Sequence, residues 1–396
     1  MEISENGPER LYDRAEYIKS FTAQVVCVKE DDKGYLVALD RTGFYPEGGG
    51  QLCDFGTLGG LPVTDVREKD GQIWHRVPQA FTQGDRVEGV IDWDRRLLMM
   101  QQHTGEHLLS GIVHRRYGFE NVGFHMGSDG VTVDFDGEIP AGELSALEWE
   151  TNRAIWENIP VQVEYPSPQA LQQLSYRSKK ALTGPVRIVT IAGYDVCACC
   201  GTHLHSTGEV GMVKILSCQK HKGGVRLTLL MGQRAMLHYR QLLGSVAGIS
   251  SLLSAKQEEV LEAVQRLSQE NTVLQQQLSD LRKESFCRRL DAVAPQTVIC
   301  LLESPGLTPV QLRQFCLMAC EKAQTAAVFS GEDGAGYKYA LGSSVLDVRE
   351  MGKQLNQSMQ GRGGGARDLI QGSVNARAEE IRRYFAELSE QGRDGQ

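Results

Sequence analysis

The sequence has no apolar run of about 18 residues, the length a helix needs to cross a bilayer, so no membrane span is expected. Positive charge is not in excess either. With 42 Lys and Arg against 50 Asp and Glu, the formal net charge is −8, which excludes a simple basic nucleic-acid binder. A local basic face on an acidic protein can still hold phosphate. The 10 cysteines do not follow the spacing of a disulfide framework. The opening Met1-Glu-Ile-Ser-Glu5 is acidic where a secretory leader would be basic. A reducing cytoplasm is the location these features lead one to expect. No Gly-x-Gly-x-x-Gly precedes a helix and no Walker pattern occurs, so the common nucleotide-binding folds are not indicated.

Histidine is scarce, at 9 in 396 residues, and it is concentrated. His103 and His107 lie four apart in His-Thr-Gly-Glu-His. On a helix that interval turns the chain by about 400°, so both rings leave one face. About a hundred residues later, Cys199-Cys-Gly-Thr-His203 repeats the interval in a Gly-bearing segment suited to a tight loop. Two pairs of nitrogen and sulfur donors can close a tetrahedral site around Zn²⁺. Donor type alone leaves Cys197, Cys199 and Cys200 as alternatives for the sulfur, and only Cys199 keeps the four-residue spacing to His203.

His103-Thr-Gly-Glu-His-Leu-Leu-Ser110, with Cys199-Cys-Gly-Thr-His-Leu-His-Ser-Thr-Gly-Glu-Val-Gly211 downstream, resembles the editing domain of alanyl-tRNA synthetase and of its free-standing relatives, the AlaX proteins. Gly43-Phe-Tyr-Pro-Glu-Gly-Gly-Gly-Gln51 looks like the glycine motif that precedes that domain. Gly361-Arg-Gly-Gly-Gly-Ala-Arg-Asp368 looks like the glycine-rich segment of a DHH-associated C-terminal domain. The resemblance covers nearly the whole chain in the layout of the long form of AlaX. It implies one zinc held by His103, His107, Cys199 and His203, with His125 and Thr202 as catalytic residues beside the scissile ester. It further implies a tRNA partner and hydrolysis of mischarged tRNA for alanine, with serine as the main amino acid removed and glycine as a second. The family commonly has Cys-Gly-Gly-Thr-His where this chain has Cys200 in place of the first glycine.

The expected fold class is α+β and multidomain. A small β-barrel would span 1–92, an α+β editing domain 93–233, a helical coiled-coil linker 234–290, and an α/β DHH-associated domain 291–396. Residues 19–90 alternate apolar and polar in short runs, with Asp31-Asp-Lys-Gly34 as a turn. Gly48, Gly49 and Gly50 are either a backbone cradle for a phosphate or merely a tight bend. Helical periodicity is expected from Asp94 to His114 and from Leu144 to Asn158, and strands at Val131–Phe135 and Val161–Glu164. Lys214, Lys220, Lys222 and Arg226 fall on a hairpin turning at Gly223-Gly224.

Arg177, Lys179, Lys180 and Arg187 form a basic run before the second donor pair, either a tRNA-backbone contact or a solvated face. Arg362 and Arg367 sit in what reads as a Gly/Arg loop and are further candidates for tRNA contact. From residue 234 to 286 the chain reads as one long helical segment without Pro. Val260, Val264, Leu267, Asn271, Leu274, Leu278 and Leu281 repeat at four and three, as in a coiled-coil seam with Asn271 at an a position. A homodimer is expected from that seam, with a helix hairpin using residues 237–254 as the alternative.

Two rival functions remain open at this level. His103-x-x-Glu106-His107 is also the inverzincin protease pattern, in which Glu106 would be general base. A zinc- and RNA-binding protein without catalysis would use the same motifs.

Overall fold

The computed structural model describes residues 7–14, 17–127, 130–178, 185–294 and 296–391. It is mixed α+β and has two compact units, Met1–Ser251 and Leu252–Gln396.

The first unit begins with β1 (Ser20–Asp31), β2 (Gly34–Leu39), β3 (Gly56–Leu58), β4 (Leu61–Val63), β5 (Asp65–Lys69), β6 (Gln72–Val77) and β7 (Arg86–Ile91). They form a seven-stranded sheet in the order β4-β3-β7-β1-β2-β6-β5, which curls into a nearly closed barrel. The period-two pattern of β1 and β7 gives the sheet one apolar face, because alternate residues such as Phe21, Ala23, Val25, Val87 and Ile91 point into one shared core. The glycine motif is the loop between β2 and β3.

The helix α1 (Trp93–Tyr117) follows directly. Asp92 caps it by accepting from Arg95 N–H, and Gly118, at φ 74°, ends it with its N–H on His114 O. Met99, Met100, Leu108, Leu109, Ile112 and Val113 are fully buried along it. They pack on a four-stranded antiparallel sheet in the order β8-β9-β14-β13 and on α2 (Leu144–Trp156). These strands are β8 (Asn121–Met126), β9 (Val131–Phe135), β13 (Val213–His221) and β14 (Gly224–Met231). A smaller antiparallel sheet joins β10 (Val161–Glu164), β11 (Ile188–Ile191) and β12 (Asp195–Ala198). The β13–β14 turn is Lys222-Gly223, at φ 44° and 87°, one residue earlier than the glycine pair suggested.

α3 (Gly232–Leu253) stops before Ser254, at φ 50°, so the long helix expected from residue 234 to 286 is broken there. α4 (Val260–Asp291) carries the heptad positions, and Val264, Leu267, Leu274, Leu278 and Leu281 are all exposed. The second unit continues with β15 (Val298–Glu303), α5 (Pro309–Cys320), β16 (Thr325–Glu332), β17 (Gly336–Ser343), α6 (Val348–Ser358), β18 (Arg362–Gly365), β19 (Leu369–Val374) and α7 (Ala378–Gln391). Its sheet runs β15-β16-β17-β19-β18, with β15 and β16 parallel and the other pairs antiparallel. Arg362 to Gly365 is therefore an edge strand rather than the loop that glycine content suggested. Pairing with β19 supplies its order, and pairing is invisible in composition.

His75 of β6 is fully buried in the barrel. Its Nδ1–H donates to Val37 O at 2.9 Å and its Nε2 accepts from Thr42 at 2.8 Å, so the ring is held neutral. Burial pushes its pKa down to about 4. The unfolded chain, titrating near 6.5, binds this proton more readily than the folded one. Stability is thus full above about pH 6.5 and declines toward pH 4, by about 3 kcal/mol for this group. Urea midpoints for the first unit are expected to drop more between pH 7 and pH 4.5 in the native chain than in His75→Gln. Equal drops would place the acid sensitivity elsewhere.

Candidate metal centre

α1 presents His103 and His107 one turn apart on its inner face, 3% and 2% exposed. The chain leaving β12 forms an irregular loop that lies against the same face and carries Cys199, Thr202 and His203. Loop and helix are stitched together by Leu204 N–H, which donates to Thr104 Oγ1 at 3.0 Å. The buried Arg187 clamps the loop from the other side, its guanidinium donating to Cys199 O at 3.0 Å and Gly201 O at 2.9 Å. Gly201 is required by space. A Cβ there would lie 2.1 Å from His103 Cε1 and 2.9 Å from Gln51 Oε1.

One donor atom from each of His103, His107, Cys199 and His203 lies within 4.8 Å of all the others, an arrangement that can hold a metal ion. The donor set, three imidazoles and one sulfur, suits tetrahedral coordination. His203 gives independent support. It is fully buried, and neither ring nitrogen has a hydrogen-bond partner among the described residues. A buried imidazole left in this way is costly unless something else binds it.

The neighbouring groups are arranged for the same purpose. His107 Nδ1 lies 2.7 Å from Asp195 Oδ2, and Arg177 makes a two-point pair with that carboxylate at 2.8 and 2.9 Å. His103 Nδ1 lies 2.8 Å from Gln51 Oε1. Such outer contacts orient metal-binding imidazoles. Burial opposes charge on His107, but Asp195 and Cys199 together hold its pKa well above the ordinary value. Burial would also raise the Cys199 thiol, yet His103 and His203 pull it well below its ordinary range. By contrast, burial pushes Cys197 up to about 11 and raises Cys200, while His203 is driven down to about 3. Thiolate character therefore falls on Cys199, the sulfur that belongs to the four-donor cluster.

The other residues singled out from sequence are distributed differently. Thr202 is buried at the centre, its hydroxyl accepting from Gln51 Nε2 at 2.9 Å. His125 is exposed on β8 and shares a cleft of about 410 Å³ with Gly48, Gly49, Gly50, Gln51 and Arg67. Gly50, at φ 87°, is a close-approach glycine, since a Cβ would meet Phe124 O at 2.4 Å. Arg177, read as a tRNA contact, has its side chain 8% exposed and its guanidinium occupied by Asp195. Lys179 and Lys180 lie outside the described residues. Arg362 and Arg367 belong to the second unit and are exposed. Glu106 is buried and accepts from Ser110 and Asn121.

Sequence reasoning missed Gln51, Asp195 and the pair Arg96–Asp54. Both members of that pair are fully buried. Arg96 also donates to Gly43 O at 2.7 Å, so it holds the start of the glycine motif and the chain three residues past its end. Gln51 ends the motif, and that position was its only signal. Nothing in spacing marks Asp195.

Two family models match the chain: "Threonyl and Alanyl tRNA synthetase second additional domain" over residues 186–228, and "tRNA synthetases class II (A)" over residues 12–95. The first span contains Arg187, Asp195, Cys199, Thr202 and His203. Among similar proteins, the alanyl-tRNA editing protein AlaX-L of Pyrococcus horikoshii is 30% identical, the alignment covering 94% of this chain and 96% of that one. The alanyl-tRNA editing protein Aarsd1 of Rattus norvegicus is 28% identical over 92% of this chain and 93% of its own. An alanine–tRNA ligase of Thermofilum pendens is 30% identical over 94% of this chain but only 43% of the ligase.

Gly201→Ala is expected to lower metal uptake roughly tenfold or more while leaving the far-ultraviolet circular dichroism unchanged. Metal analysis after dialysis gives the first quantity. Undiminished uptake would mean that the loop has slack the contacts do not show.

Proposed function

The chain belongs to the alanyl-tRNA editing protein family, and from that premise we propose that it is a deacylase acting in trans on mischarged tRNA for alanine. Ser-tRNA is the main substrate and Gly-tRNA a second. The observation that carries this reading is the convergence of His103, His107, Cys199 and His203 beside the cleft lined by the glycine motif and His125. The metal is Zn²⁺, as the mixed nitrogen and sulfur donors suggest, and it supplies a Lewis acid to the ester carbonyl or a grip on the substrate's amino group.

The protein's own groups do the rest. The cleft admits the terminal ribose and its ester, with Gly48, Gly49 and Gly50 leaving room for close approach of the nucleotide backbone. His125 stands at the rim, within reach of solvent and of an incoming ester. Thr202, fixed by Gln51, presents a hydroxyl inside the centre. A separate hydrolytic site makes physical sense, because a synthetic pocket shaped for alanine rejects glycine and serine poorly, whereas a second site can bind the serine hydroxyl directly.

The proposal extends to the remaining organisation: a β-barrel module at 1–92, the editing domain at 93–233, a linker at 234–290 and a DHH-associated domain at 291–396. The exposed heptad leucines of α4 support pairing with a second copy as a coiled coil. Arg362 and Arg367, exposed on the second unit, are proposed to contact tRNA. The expected compartment is the cytoplasm, where thiols stay reduced.

Ser-tRNA and Ala-tRNA supplied separately are expected to be hydrolysed fast and slowly respectively; equal hydrolysis of both overturns the specificity, and tight binding without turnover favours an RNA-binding role. Cys199→Ala is expected to lose zinc and activity together, while Cys200→Ala keeps most of both. The reverse result in metal analysis would move the sulfur ligand to Cys200. Glu106→Gln should retain deacylation within about an order of magnitude, since loss of a true general base costs roughly 10²–10⁴-fold.

A further inference from the structure

The glycine motif ends on a side chain whose orientation is fixed by a donor that cannot be reversed. Thr202 N–H donates to Gln51 Oε1 at 3.2 Å, and a main-chain nitrogen never accepts, so the oxygen must lie on that side. Gln51 Nε2 consequently points at Thr202 Oγ1, 2.9 Å away. The same Oε1 is 2.8 Å from His103 Nδ1. Oxygen can only accept, so Nδ1 carries a proton, and in the neutral ring that binds a metal the lone pair is then on Nε2. That Nε2 lies 3.3 Å from Cys199 Sγ, on the side where the four donors converge.

We propose that Gln51 is a positioning residue of the metal centre, setting the tautomer in which His103 binds the ion through Nε2. The inference rests on the metal reading above and concerns how this chain prepares its own ligand. Gln51 is fully buried, and two devices hold it. Gly48 and Gln51 exchange main-chain hydrogen bonds at 3.1 and 3.0 Å, closing the loop on itself. Three residues on, Asp54 is held by Arg96. Arg96 and His103 are seven residues apart on α1, about two turns, and therefore share a face. The helix that offers the imidazole also fixes the loop that selects its tautomer. The two helix histidines are thus held by different chemistry. A carboxylate paired with Arg177 holds His107, whereas a neutral amide holds His103, and that amide belongs to the residue that ends the glycine motif lining the cleft.

The test compares Gln51→Met, which has similar length and no acceptor, with Gln51→Glu, which keeps an oxygen for Nδ1–H. Zinc affinity by chelator competition is expected to fall roughly 10–100-fold in the Met variant and to recover to within several-fold of the native chain in the Glu variant. Visible absorption of the Co²⁺-loaded proteins reads ligand geometry without relying on activity; the native and Glu spectra should coincide and the Met spectrum should differ. Native-like affinity and spectrum in Gln51→Met, or equal loss in both variants, overturns the role of Gln51. Imidazole ¹⁵N spectra of the native protein provide a check independent of any variant's folding, and a proton on His103 Nε2 with Nδ1 bare overturns it directly. A native chain that takes up neither Zn²⁺ nor Co²⁺ overturns the metal centre itself, and this proposal with it.

Discussion

The site depends on the docking of the barrel onto α1, and that docking turns on the buried pair Arg96–Asp54. Two charges wholly removed from water are tolerable only when each fully satisfies the other. Here the Asp54 carboxylate also accepts from Tyr45 N–H at 2.6 Å, and Arg96 also reaches Gly43 O. Removing either partner of such a pair typically costs about 3–5 kcal/mol, because the survivor is left uncompensated. The register between barrel and helix is correspondingly strict. A slip of one residue in the loop would carry Gln51 away from His103.

Around that fixed register, the centre balances several buried polar groups against one another. Arg177 neutralises Asp195, and Asp195 supports charge on His107. The buried ring of His203 has no hydrogen bond among the described residues. A cation meets the needs of that set in a way that no single side chain does, since it binds nitrogen lone pairs and a thiolate together.

The same arrangement bears on how an acidic chain, at −8 overall, meets an anionic substrate. Arg96, Arg177 and Arg187, the arginines bonded into the centre and its supports, all point inward at carboxylates or carbonyls. They hold the loops in place and leave phosphate attraction to exposed residues elsewhere. Arg177, read from sequence as a candidate tRNA contact, is one of these inward-facing arginines.

Several features were legible from sequence because they depend on local chemistry. The four-residue spacing of His103 and His107 needs only helix geometry to bring two rings together. The alternation in residues 19–90 needs only the pleat to make strands, and the strands at Val131–Phe135 and Val161–Glu164 were read to the residue. Motif order sufficed for the family. Other features had no local signature, because they join segments distant in the chain. Gln51 meets His103 across 52 positions and Thr202 across 151, and Asp195 meets His107 across 88. β18 is a strand only because β19 lies beside it. The sequence by itself determined which atoms are able to bind a metal. The tertiary structure decided which of them converge and which face each presents, because hydrogen-bond partners in a buried centre are chosen by packing rather than by neighbours in the chain.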